Sequence, residues 1–205
     1  MLMNCGELSS FQISCNENHK IFQFSIEIHN IDISPLLINC DDSYILEISD
    51  HYRVRGNGYF NTDTIDKALK NYSCSLKLVW IYYSFKYGIY GGQKSDEQDN
   101  KPISDCITNI LLNISACQLK VNSFNFVIEN CSTIIQAYPQ CVKALYRRGK
   151  AFFHIGKLDE ALVDLKMAHE LNPSNTEILK DFNEVKTSLT RYSDYMADKM
   201  KKMFN

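Results

Sequence analysis

Glycine and proline are scarce: 8 Gly and 4 Pro in 205 residues are too few for a turn-rich all-β fold or a long disordered linker. No C-x-x-C pair occurs among the eight cysteines, so neither a zinc site nor a redox motif is supported. No apolar run approaches the roughly 18 residues of a transmembrane helix, so no membrane span is expected. The opening Met1-Leu2-Met3-Asn4-Cys5 carries no basic stretch and no apolar block behind it, which argues against a secretory signal. A cytoplasmic chain with reduced thiols follows, several of them packed as small apolar side chains. The N-x-[ST] triplets at Asn71, Asn113 and Asn130 are then chance. Basic excess is missing too, since 22 Lys and Arg face 24 Asp and Glu, and bulk nucleic-acid binding needs a basic face. His19, His29, His51, His154 and His169 show no ligand spacing with Cys or with one another, so no metal, cofactor or enzyme chemistry is expected.

What is present is a repeat. Leu145, Gly149, Phe152, Ala161, Leu165, Ala168 and Pro173 stand 34 residues after Leu111, Ser115, Gln118, Val127, Cys131, Ile134 and Pro139. A third copy upstream holds Tyr52, Gly56, Tyr59, Ala68, Tyr72 and Ser75. Small residues at the Gly149 and Ala161 phases let two antiparallel helices cross closely, and the proline ends the second helix. A generic helical bundle would show amphipathic spacing but no fixed 34-residue phase. The period is that of the tetratricopeptide repeat. The expected fold is all-α: three helix–turn–helix repeats in a right-handed superhelix, at about 49–82, 108–141 and 142–175, plus a C-terminal capping helix at about 175–203.

The register slips by 25 residues between the first two copies. The second helix appropriates part of that excess through Leu76, Leu78, Val79, Trp80, Tyr82 and Tyr83. An insertion at 83–107 with Gly91-Gly92 holds the rest, and residues 88–102 are expected to be mobile. Ser104 or Asp105 is the expected N-cap of the next helix. Ser174-Asn175 can cap the last one, whose Tyr192, Met196, Met200 and Met203 continue an apolar stripe. Core or capping use is the favoured reading of that stripe, with only its far end, from Asp198, projecting. Residues 1–48 differ in character. Phe22, Phe24, Ile26 and Ile28 alternate with polar residues as a strand does, and Phe11 and Ile13 precede them across a polar turn. A short N-terminal β-hairpin is expected, too small to be stable alone.

The inward face of the superhelix carries polar residues that solenoid packing does not require. Arg53 and Asn57 lie one turn apart, Asn113 comes from the second repeat, and Lys143 and Arg147 are again one turn apart. Three cations and two amides in one groove suit a peptide ending in a carboxylate: Asn donates to oxygens and Lys and Arg supply charge.

Arg53-Val54-Arg55-Gly56-Asn57, Asn113 and the run Lys143-Ala144-Leu145-Tyr146-Arg147-Arg148-Gly149 resemble the carboxylate-clamp repeats of chaperone-binding immunophilins, the FK506-binding and aryl-hydrocarbon-receptor-interacting proteins. The resemblance covers about residues 49 to 204, the repeat domain being 49–205. It implies a co-chaperone or adaptor that grips the C-terminal Glu-Glu-Val-Asp of heat-shock protein 90, and of heat-shock protein 70, through Arg53, Asn57, Asn113, Lys143 and Arg147. Arg53 stands where the family has Lys, which keeps the charge but changes the geometry. Strand 21–31 is similar to the last strand of the isomerase domain that precedes the repeats in such proteins. A domain of about a hundred residues cannot fit into 1–48, so that segment is read as a hairpin or remnant, and no isomerase activity is expected. A client protein on the C-terminal helix is the second partner implied. The alternative is a repeat scaffold that binds another protein segment with the clamp unused.

Overall fold

The computed structural model describes residues 8–15, 20–27, 41–87 and 101–204. The chain divides into two compact units, 1–40 and 41–205. In the first, β1 (Leu8–Cys15) pairs antiparallel with β2 (Lys20–Glu27), with Phe11 opposite Phe24 and Ile13 opposite Phe22. The sequence expectation for this segment is a hairpin. The part of its second strand expected beyond residue 27 lies outside the described residues.

The second unit is all-α. Its described helices are α1 (Asp42–Asn61), α2 (Ile65–Tyr87), α3 (Lys101–Lys120), α4 (Phe124–Ala137), α5 (Val142–His154), α6 (Leu158–Leu171) and α7 (Thr176–Phe204). Each packs on its neighbour in sequence, and α3 also touches α1 and α5, so the first helices of the three pairs line up side by side. The small residues of the repeat do the work assigned to them. A Cβ on Gly56 would lie 2.5 Å from Tyr72 Cε1, and one on Gly149 would lie 2.8 Å from Leu165 Cγ. Ala68, Val127 and Ala161, which share one phase, are all fully buried. Dense packing at those crossings leaves no room for a methyl group.

The turns inside the pairs repeat as closely as the cores. Asp63, Asn122 and Gly156 all have positive φ, of 57°, 58° and 79°. Thr64, Ser123 and Lys157 each donate their backbone N–H across the turn, to Tyr59, Gln118 and Phe152, at 2.9 Å every time. This closes the end of the first helix of each pair, and Asp, Asn and Gly are the residues that tolerate the left-handed conformation.

Several boundaries differ from expectation. Helix α1 begins at Asp42, inside the segment assigned to residues 1–48. Because α2 runs on to Tyr87, it offers surface for two more turns of α1: Ile45 and Ser49 are buried, and Tyr82 and Lys86 bond Asp42 Oδ1 at 2.6 and 2.7 Å. The segment between α2 and α3 is thereby 88–100 rather than 83–107, and it lies outside the described residues. Helix α3 starts at Lys101, with Pro102 in its first turn, where its missing N–H costs nothing. Lys101 and Pro102 are therefore helical and not part of a loop. Ser104 and Asp105 do not cap that helix: Tyr138 donates its hydroxyl to Asp105 Oδ1 at 2.8 Å, with Ser104 Oγ 3.3 Å away.

Asn175 does cap α7, accepting from the N–H groups of Glu177 and Ile178 at 3.0 and 3.2 Å. The Met stripe is not core. Ile178 and Val185 are buried and Phe182 packs beside them, yet every described side chain from Arg191 to Met203 is exposed, Met203 at 72%. The cause is length. At about 1.5 Å per residue, the 29-residue α7 outruns the 14-residue α6 by roughly 20 Å.

Candidate functional site

Helices α1, α3 and α5 present one side of themselves to a groove of about 570 Å³. Arg53, Asn113, Lys143 and Arg147 line it, together with Asp50, Asp105, Cys106 and Asn109. Three contacts set its levels. Ser49 Oγ on α1 lies 3.2 Å from Cys106 Sγ on α3, about one turn inside the end lined by Leu46 and Pro102. At the other end Asn113 Nδ2 donates to Asn57 Oδ1 at 3.4 Å, and Arg147 Nη1 donates to the Leu112 carbonyl at 2.5 Å. Asn57, Asn113 and Arg147 therefore stand at the same depth.

Asn57 is not a lining residue of the groove. Its Oδ1 accepts the Tyr72 hydroxyl at 2.7 Å, so the amide nitrogen is the end left to donate. Tyr72 is buried beneath it, and burial, then the Cys117 thiol, pushes its pKa up to about 12. The hydroxyl remains a donor throughout the physiological range and fixes which way Asn57 faces.

The three cations differ in their freedom. Arg53 gives Nε and Nη2 to Asp50 Oδ1, a pair one turn apart on α1, and is partly neutralised. Arg147 is half-buried and has no carboxylate partner among the described residues. Burial pulls its pKa below the usual guanidinium value, which marks a charge that the protein itself compensates poorly. Lys143 is exposed and makes no hydrogen bond or ion pair among the described residues. Arg148, next along α5, faces the other way: it holds Asp164 through two bonds of 2.7 and 2.8 Å and Ser132 at 3.0 Å, tying α5 to α6 and α4.

Asp50, Asp105 and Asn109 were not among the residues anticipated. Asn109 was legible, since it precedes Lys143 by the same 34 residues that separate Asn113 from Arg147. Asp50 was legible as a helical i, i+3 partner of Arg53. Asp105 was hidden by its reading as a cap. Among the described residues no group of three or more His, Cys, Asp or Glu could hold a metal ion. The five described cysteines are free, and burial raises the thiols of Cys117 and Cys131 to about 11, which keeps them unreactive.

Residues 142–175 match the family described as tetratricopeptide repeat. The helical unit, with three helix pairs and a terminal helix, is a tetratricopeptide-repeat domain. Within that class it matches the repeat domains of FK506-binding immunophilins and their co-chaperone relatives. The chain is 30% identical over 153 residues, 75% of its length, to the peptidyl-prolyl cis-trans isomerase PASTICCINO1 of Arabidopsis thaliana, of which it spans 22%. It is 26% identical over 151 residues to the Hsp70/Hsp90 co-chaperone CNS1 of Saccharomyces cerevisiae, covering 73% of this chain and 34% of that one. It thus spans well under half the length of either relative. Among solved structures, the C-terminal repeat domain of a Plasmodium falciparum FK506-binding protein superposes with a TM-score of 0.61 at 24% identity, over 77% of this chain and 99% of that one. The first repeat domain of Spaghetti, bound to the HSP90 peptide SRMEEVD, superposes with a TM-score of 0.54 at 20% identity, over 70% and 94%. At those identities the superpositions speak for the fold. No described helix is long and apolar enough to cross a membrane.

Proposed function

We propose that this domain binds the C-terminal Glu-Glu-Val-Asp tail of heat-shock protein 90, and of heat-shock protein 70, as a cytoplasmic co-chaperone or adaptor. The observation that carries the reading is the state of Lys143 and Arg147. Both line one groove, neither has a carboxylate partner among the described residues, and Arg147 is half-buried besides. A half-buried cation without a counter-ion is costly, and a ligand carboxylate removes that cost. Asn113 and the amide nitrogen of Asn57 are the neutral donors at the same depth. Arg53 is the third cation, available once a ligand competes with Asp50. The names of CNS1 and of the Spaghetti complex support the same class of ligand.

The test is a titration of the peptide SRMEEVD against the same peptide with an amidated C-terminus. Micromolar binding, roughly −7 to −8 kcal/mol, is expected for the free acid. Amidation should abolish most of it. A charge-assisted hydrogen bond contributes about 1.5–3 kcal/mol, so Lys143→Ala or Arg147→Ala should weaken binding about tenfold or more. Lys143→Ala should leave thermal unfolding unchanged, because that side chain is exposed. Equal binding of acid and amide would favour the second reading, a scaffold with the clamp unused. That reading draws on the Asp50–Arg53 pair and on Asn57 being held by Tyr72.

A further inference from the structure

The groove is basic at one end only. Asn113 and Arg147 stand at the deep end, whereas Asp50, Asp105 and Cys106 stand at the other, at the level of Ser49. Asp50 is occupied by Arg53. Asp105 is different. Its Oδ1 accepts the neutral Tyr138 hydroxyl, its Oδ2 has no hydrogen bond among the described residues, and no cation there pairs with it. A half-buried carboxylate therefore faces the groove with its charge uncompensated among the described residues.

The separation between the two ends suits a peptide. Asp105 and Asn113 are eight residues apart on α3, about 12 Å at a helical rise of about 1.5 Å per residue. An extended chain advances about 3.3–3.6 Å per residue. With the terminal carboxylate on Asn113 and Arg147, a tail that follows the groove reaches the Asp105 level after three to four residues. A long basic side chain one or two residues further on can reach back to it. An acidic side chain in the same place meets like charge.

We propose that Asp105 makes this groove select tails with a basic side chain upstream of the terminal acidic residues, a preference that rests on the carboxylate-clamp reading above. SRMEEVD has this form, with Arg five residues before its terminal Asp. Asp105 acts here as a specificity residue and adds little to the grip on the carboxylate.

The experiment measures binding of SRMEEVD and of the peptide with its Arg replaced by Glu, to wild type, Asp105→Asn, Asp105→Lys and Tyr138→Phe. Wild type should lose about three- to fivefold on the Arg-to-Glu change, the scale of one partly exposed ion pair. Asp105→Asn keeps an acceptor for Tyr138 and should shrink that loss to less than about twofold. Asp105→Lys should reverse the preference. Tyr138→Phe removes the hydrogen bond but leaves the charge, and should keep the wild-type preference. The same Arg-to-Glu loss in wild type and Asp105→Asn would overturn the proposal, as would no loss in wild type. The amidated SRMEEVD reports on the clamp separately. Acid-dependent binding without an Asp105-dependent preference defeats only this inference, whereas no binding by any tail removes the clamp reading and this with it.

Discussion

Gly56 and Tyr72 meet where α1 crosses α2, and a single added methyl group is enough to disturb that crossing. Its Cβ would overlap the Tyr72 ring, which cannot retreat without moving the hydroxyl that holds Asn57. Gly56→Ala should therefore destabilise by about 1–3 kcal/mol, as overpacked cores do, despite the better helix propensity of alanine. Urea unfolding would measure it, and a loss of peptide affinity should accompany it through Asn57. The same ring predicts an alkaline limit. Burial raises Tyr72 to about 12, and burial together with a hydrogen bond to Asp42 raises Tyr82 to about 12, against about 10 in an unfolded chain. Between those values the unfolded chain has lost protons that the folded one retains. Stability should be unaffected by these groups below pH 10 and fall as pH rises from 10 towards 12. Tyrosine absorbance, followed beside circular dichroism, should show Tyr72 and Tyr82 titrating late, with Tyr146, which burial and its hydrogen bond to Asp181 raise further still, and all three released when the fold is lost.

Elements succeed or fail here by what lies beside them. Helix α7 has apolar residues at helical spacing along its whole length, but among the described residues only its first half has a partner. Ile178→Ala empties a site that is 2% exposed and should cost about 2–5 kcal/mol. Met200→Ala should stay within about 0.5 kcal/mol of wild type, since that side chain is 58% exposed. A pair of thermal melts distinguishes the two halves, and equal losses would mean that the far half is packed after all. Near its start α7 is tied to α5 by the Tyr146 hydroxyl, which donates to Asp181 Oδ2 at 2.7 Å, and by Lys150, 3.2 Å from the same carboxylate. The terminal helix is therefore anchored at one end by apolar burial and by polar bonds together.

For the whole molecule the relevant quantity is the field of the groove. A chain with formal net charge −2 should not attract an acidic tail by its total charge. Attraction must come from local placement: Arg53, Lys143 and Arg147 on one side, Asp50 and Asp105 towards the other end. Such a field is short-ranged, and at about 0.15 M salt the screening length is about 8 Å. Affinity for SRMEEVD should therefore fall as sodium chloride rises from about 0.05 to 0.5 M, with the largest change in association rate. Salt-independent binding would mean that apolar contacts dominate and the charged lining is incidental.

The repeat itself was legible in the residue order, because close helix crossings demand small residues at fixed phases and leave that demand written at Gly56, Ser115 and Gly149. Polar residues facing inward were legible for the same reason: packing offers no explanation for Lys143 or Arg147. The recurrence of Asp63, Asn122 and Gly156 at one phase was equally available, as the mark of a turn that needs positive φ. Periodicity alone could not tell where α1 begins, since that depends on the surface α2 offers beyond residue 75. Nor could it tell that the Met stripe of α7 lacks a cover among the described residues, because amphipathic spacing is the same whether or not a neighbour is long enough to meet it. Tertiary structure likewise decided the standing of each charge. Arg53, Lys143 and Arg147 are alike as cations, but one is partly neutralised by Asp50, one is solvated, and one is half-buried without a carboxylate among the described residues, because a charge takes its energy from its surroundings and only the fold supplies them.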